Sequence, residues 1–87
     1  MTVTVEFLGL ARRRAGCRFL EVQAVNLGAA LRAMCRAQPA LVAEVIDQDR
    51  LTANFIASLN GLAFVRDPAT PLQDGDELLI LSADVGG

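Results

Sequence analysis

Residues 2–8, Thr-Val-Thr-Val-Glu-Phe-Leu, alternate between two kinds of position. That period of two predicts a strand. Val3, Val5 and Phe7 face a core, and Thr2, Thr4, Glu6 and Leu8 lie opposite. Gly9 to Gly16 reads as a loop carrying Arg12-Arg13-Arg14. Cys17 to Gln23 is a weaker strand in which Leu20 and Val22 take the core positions, and the two strands pair as a hairpin. Asn26 suits a helix N-cap, because its side-chain oxygen accepts from the first free backbone amides. Leu27, Leu31, Met34 and Cys35 then fall at i, i+4, i+7 and i+8, one stripe of a helix, with Arg32 and Arg36 off it. Pro39 ends that helix near Ala37 or Gln38.

In the second half, Leu41, Val42, Val45 and Ile46 have the spacing of a short helix. The polar stretch Asp47-Gln48-Asp49-Arg50 follows. Thr52 to Leu59 predicts a third strand with Phe55, Ala57 and Leu59 on one face. Asn60-Gly61 is a tight-turn signal, since both residues tolerate positive φ. Leu62 to Val65 returns as a fourth strand. Asp67-Pro68 and Thr70-Pro71 hold a loop, Asp74-Gly75 marks a turn, and Leu78 to Leu81 is the last strand. Residues 82–87 are left as a flexible tail. The result is one α+β domain spanning 1–87, a five-strand sheet with one main helix. One helix covers only one face of such a sheet.

That last point makes Leu78–Leu81 unusual. If Leu78 and Ile80 face the helix, Leu79 and Leu81 face away, where a half-exposed strand normally carries polar residues. By parity Leu8 lies on the same outward side. Leu8, Leu79 and Leu81 are therefore expected to form an apolar patch that a partner covers. Composition points the same way: 53% of the 87 residues are hydrophobic, more than so short a chain can bury in one core.

Composition also excludes much. There is no His, so the commonest general base and zinc ligand are missing. Cys17 and Cys35 make no Cys-x-x-Cys pair and read as free thiols of a cytoplasmic protein. No apolar run is long enough to span a bilayer, and a net charge of −2 argues against nucleic acid. No metal or bound cofactor is expected. The arginines at 12–14, with Arg18, read as a solvated loop or as a contact for a phosphate or an acidic partner. All eight basic residues are Arg, so no side-chain amine is available for an isopeptide bond.

The sequence closes on Gly86-Gly87. Without a Cβ, such a tail is thin enough to thread a narrow channel, and the group it delivers is the α-carboxylate of Gly87. That carboxylate needs activation, for example as a mixed anhydride with AMP, before a nucleophile can attack it.

These features together resemble the ThiS/MoaD family of ubiquitin-like sulfur carriers, and within it the small subunit of molybdopterin synthase. The matching pieces are the opening strand and Gly-bearing loop (Val3–Gly16), the helix stripe ending at Gln38-Pro39, the Asn60-Gly61 turn, the stretch Thr70-Pro71-Leu72-Gln73-Asp74-Gly75-Asp76-Glu77, and Gly86-Gly87. The resemblance implies a β-grasp (ubiquitin-like) fold. It implies that an E1-like adenylating enzyme uses ATP and Mg²⁺ to convert Gly87 to an acyl-adenylate, and that a sulfur donor protein turns it into a thiocarboxylate. The tail then enters the molybdopterin synthase large subunit, so the chain is a non-catalytic subunit of a sulfurtransferase. Gly87 is the reactive residue and Gly86 its slender spacer, while Leu8, Leu79, Leu81 and Val85 bind the partner. Ser82-Ala83-Asp84 stands where the family usually carries a proline, which leaves the tail less stiff and adds a charge. Alternatives of the same fold are a carrier for thiamine, cysteine or tRNA thiolation and a protein modifier joined through Gly87. A further alternative is a binding module in which the glycines are incidental.

Overall fold

The computed structural model describes residues 1–83. Seven strands form around two helices: β1 (Thr2–Phe7), α1 (Leu10–Ala15), β2 (Phe19–Gln23), α2 (Leu27–Ala37), β3 (Ile46–Asp47), β4 (Arg50–Leu51), β5 (Phe55–Leu59), β6 (Ala63–Val65) and β7 (Glu77–Ser82). Five of the strands make the main sheet in the order β2-β1-β7-β5-β6, and β3 and β4 pair separately. β1 and β7 run parallel at the centre; every other pairing between these strands is antiparallel. This is the mixed five-strand sheet with one main helix, the β-grasp arrangement.

β1 alternates as its sequence requires, with Val3, Val5 and Phe7 buried and Thr2, Thr4 and Glu6 partly exposed. Its neighbours keep phase: Val5 pairs with Leu20 and with Leu78, and Phe7 with Ile80. Those inward side chains join Phe55 and Ala57 against Leu27, Ala30, Leu31 and Met34 of α2 in one core. No polar or charged residue is buried among the described residues, so the core has no polar side chain to desolvate.

α2 starts as expected. Asn26 accepts from the Ala29 amide at 2.8 Å, and the loop before β7 caps two more amides: Leu27 donates to Thr70 O and Gly28 to Pro68 O, each at 2.9 Å. Three of the four amides that a helix start leaves unpaired are therefore satisfied inside the molecule.

Four expectations are corrected. The segment Gly9–Gly16 is not a loop: Leu10–Ala15 forms α1, with Ala11 and Ala15 buried one turn apart. Gly16 closes it in the left-handed conformation (φ 76°), its amide donating to Arg12 O. Residues 41–46 are not a helix. A 3₁₀ turn at Pro39–Leu41 ends at once, and Ala43 takes φ 71°, which no α-helix accommodates. Leu41, Val45 and Ile46 are buried, but Val42 is exposed, and Asp47–Arg50 forms the β3–β4 turn. β5 begins at Phe55 rather than Thr52, because residues 52–54 form a turn. Finally, Ser82 belongs to β7, paired with Phe55, rather than to the tail.

The stretch 73–77 joins the far ends of several strands. Asp74 accepts from the Thr2 amide at 2.8 Å, and Gly75 donates to Thr2 O at 2.8 Å. Asp76 O accepts from the Thr4 amide, while the Asp76 carboxylate accepts from Asn60 Nδ2 at 3.0 Å and the Gln73 amide at 2.8 Å. Asn60 completes the knot by exchanging two hydrogen bonds of 2.8 Å with the backbone of Glu77. These bonds hold the β5–β6 turn to the start of β7.

Candidate docking and transfer site

The sheet face turned away from α2 carries the expected residues. Leu79 and Leu81 alternate with buried Leu78 and Ile80, so they point outward and are only partly covered. The Leu8 amide donates to Ile80 O at 3.0 Å, which carries Leu8 alongside the end of β7 in continuation of the parallel register. Its side chain is 49% exposed. The structure thus brings Leu8, Leu79 and Leu81 to one face. Val85, Gly86 and Gly87 lie outside the described residues.

Sequence reasoning did not include three further apolar side chains on that face. Glu6 pairs with both Phe19 and Leu79, Leu79 with Ser58, and Ser58 with Phe64, so Phe19 and Phe64 sit in one row with Leu79. Both rings are more than half exposed. Ile56 pairs with Leu81 and is outward by the same alternation. The parity of β2 and β5 carried this signal: Phe19 is out of phase with Leu20 and Val22, as Ile56 is with Phe55 and Ala57. A shallow hollow of about 180 Å³ lies in this face, lined by Thr4, Glu6, Phe19, Ser58, Asn60 and Leu79 among others. Glu6 at its edge is paired with Arg18 at 3.3 Å, and that guanidinium lies 5.0 Å from the Phe19 ring centroid.

The chain leaves β7 at the same end of the molecule as Leu8 and α1. The last described contact is the Ala83 amide donating to Asn54 O at 2.8 Å. The turn that presents Asn54 is held from β6's side by Arg66, whose guanidinium donates to the carbonyls of Thr52, Ala53 and Phe55.

The described residues offer little chemistry of their own. No group of three metal-ligating side chains occurs among them, and no helix is long and apolar enough to cross a membrane. Cys17 and Cys35 are free. Burial pushes the Cys35 thiol above its ordinary pKa, which keeps it protonated and weakly nucleophilic near neutrality.

No protein-family model matches the chain, and neither does any curated protein sequence. Solved structures do. SAMP1 from Haloferax volcanii superposes with a TM-score of 0.84 at 25% identity, covering 100% of each chain. Subunit 1 of molybdopterin-converting factor from Helicobacter pylori 26695, solved with subunit 2, gives 0.67 at 25% identity, also over 100% of each chain. The chain has the fold of the ThiS/MoaD-type ubiquitin-like sulfur carriers. The BexX/CysO complex of Amycolatopsis orientalis adds a fold match with a TM-score of 0.77 at 20% identity, over 98% of this chain and 99% of that one. Two of these structures are of complexes between two proteins.

Proposed function

We propose that the chain is a sulfur carrier for molybdopterin formation. An E1-like adenylating enzyme joins the Gly87 carboxylate to AMP at the expense of ATP with Mg²⁺, releasing pyrophosphate. A hydrosulfide equivalent from a sulfur donor protein attacks the carbonyl and expels AMP, leaving a thiocarboxylate. The tail then enters the large subunit of a molybdopterin synthase, which supplies the catalytic groups. Gly86 gives the tail its narrow bore, and Leu8, Leu79, Leu81 and Val85 meet the partner. The setting is cytoplasmic.

The observation that carries this reading is the end-to-end likeness to the Helicobacter pylori subunit 1, whose structure was solved with subunit 2. The unpaired apolar face at the end where β7 gives way to Gly86-Gly87 supports it. The test is intact mass after incubation with the adenylating enzyme of the same organism, ATP, Mg²⁺ and sulfide. The expected product gains the mass of one oxygen exchanged for sulfur, located at Gly87 by fragmentation. Complete absence of the exchange, with an enzyme active on another carrier, would count decisively against it.

A second reading is a protein modifier attached through Gly87. It is favoured by the likeness to SAMP1, a small archaeal modifier protein of Haloferax volcanii. It predicts Gly87-dependent high-mass adducts in cells. Lysine-linked chains of this protein would be excluded, since it contains no lysine.

A further inference from the structure

The arginines of α1 have no role in the core. Ala11 and Ala15 fill the buried side of the helix, and Arg12, Arg13 and Arg14 all project from the exposed side. Arg14 reaches Glu44 at 3.9 Å and Arg18 reaches Glu6 at 3.3 Å. No ion pair among the described residues reaches Arg12 or Arg13. Four guanidiniums against two carboxylates leave a local excess of two positive charges on a chain whose net charge is −2. Arg12, Arg13 and Arg18, with Gly9, Gly16 and Cys17, border a wide open concavity of about 540 Å³.

Position gives this cluster its meaning. α1 follows β1 directly, and β1 runs parallel to β7, so the arginines stand at the end of the sheet where β7 finishes. The Phe7 amide donates to Arg18 O at 2.8 Å, which fixes Arg18 at that end too. The carboxylates of Asp74, Asp76 and Glu77 stand at the opposite end, where β7 begins and β1 starts. The six residues of β7 separate the two groups by roughly 17–20 Å. A net positive cluster therefore stands at the end of the sheet where β7 finishes, and a carboxylate cluster stands at the other end. An acidic surface attracts such a positive cluster before contact.

From this we infer that Arg12 and Arg13 dock on an acidic protein surface bordering the channel that takes the tail for activation. The inference rests on the carrier reading above. A bound phosphate fits less well: the hollow is open, both arginines are solvent-exposed, and no buried polar group is aimed into it. Charge placed this way speeds encounter and fixes orientation, and salt screens it.

The experiment uses the full chain and the adenylating enzyme of the same organism, read by chain-dependent ATP–pyrophosphate exchange. Arg12→Glu with Arg13→Glu is compared with Arg36→Glu with Arg50→Glu, which changes net charge equally at exposed sites away from α1. The expected result is a KM for the chain raised about tenfold or more by the α1 pair, with kcat and the KM for ATP unchanged. Raising NaCl from about 50 to about 300 mM should weaken the wild type and barely affect the α1 pair. Thermal unfolding of both doubles verifies that each remains folded. Equal KM values for the two doubles would overturn the inference. So would a KM for ATP that moves with the α1 pair, which would assign the arginines to a phosphate. If the wild type supports no exchange, the carrier reading itself fails, and this inference with it.

Discussion

Asn60 and Asp76 show how two polar side chains fix a turn that hydrophobic patterning alone leaves loose. Asn60 takes φ 55° and Gly61 φ 68°, a pairing that suits the reversal between β5 and β6. The hydrogen bond from Asn60, and then that from the Gln73 amide, holds the Asp76 carboxyl below its ordinary value of 3.8. A depressed carboxyl contributes stability above its unfolded pKa, and the contribution disappears as pH falls through the folded one. The stabilisation is therefore complete at neutral pH and fades below about pH 3.8. Asn60→Ala removes the leading cause. Its urea midpoint should fall less steeply on acidification than that of the wild type. Parallel acid limbs in the two titrations would show that Asp76 does not couple folding to pH. The N-cap of α2 is a simpler case. Asn26→Ala strips the acceptor from the Ala29 amide and should lower stability by about 1 kcal/mol in chemical denaturation, whereas Asn26→Ser should recover most of it.

At the scale of elements, the sheet's end is assembled from pieces far apart in sequence. Arg66, just after β6, holds the turn at residues 52–54, and that turn in turn accepts the Ala83 amide. Arg66→Ala should loosen the point where the tail departs while leaving the core packed. The expected signature is amide exchange at Ala83 faster by about tenfold, with the Val5 and Ile80 amides unchanged. Uniform acceleration across the sheet would instead mean global destabilisation. The same long-range character explains what the sequence could disclose. β1 and α2 were legible because each buries one side, giving clean periods of two and 3.6, and because Asn26 and Pro39 bracket the helix. α1 was missed because six residues between two glycines are too few to show a period. The Leu41–Ile46 segment misled because Leu41, Val45 and Ile46 are buried at helical spacing, although the backbone at Ala43 turns left-handed. Leu8, Leu79 and Leu81 could be grouped by parity and by the unbroken run in β7. Phe19 and Ile56 have an outward parity of their own, but only the strand order and register place them and Phe64 in rows with Leu79 and Leu81.

For the whole molecule, the carrier reading divides stability from recognition between the two faces of β7. Ile80 is fully buried against the helix side, and Leu79 next to it opens to the opposite face. Ile80→Ala should cost about 2–5 kcal/mol, the usual range for emptying a core site, and should weaken any partner complex only as far as it unfolds the chain. Leu79→Asp has the reverse profile. The new carboxylate lies on an accessible face, so the Tm should stay within a few degrees of the wild type. The same carboxylate would be desolvated without a partner in a complex that covers the face, a cost that should weaken docking by about tenfold or more. Calorimetric unfolding of both variants, set beside their KM values in chain-dependent ATP–pyrophosphate exchange, separates the two effects. Leu79→Asp with an unchanged KM would place the partner on some other face of the sheet. A large Tm loss in Leu79→Asp would show instead that this face contributes to folding, and Leu8→Asp, just past the end of β1 and 49% exposed, would then be the cleaner probe of docking.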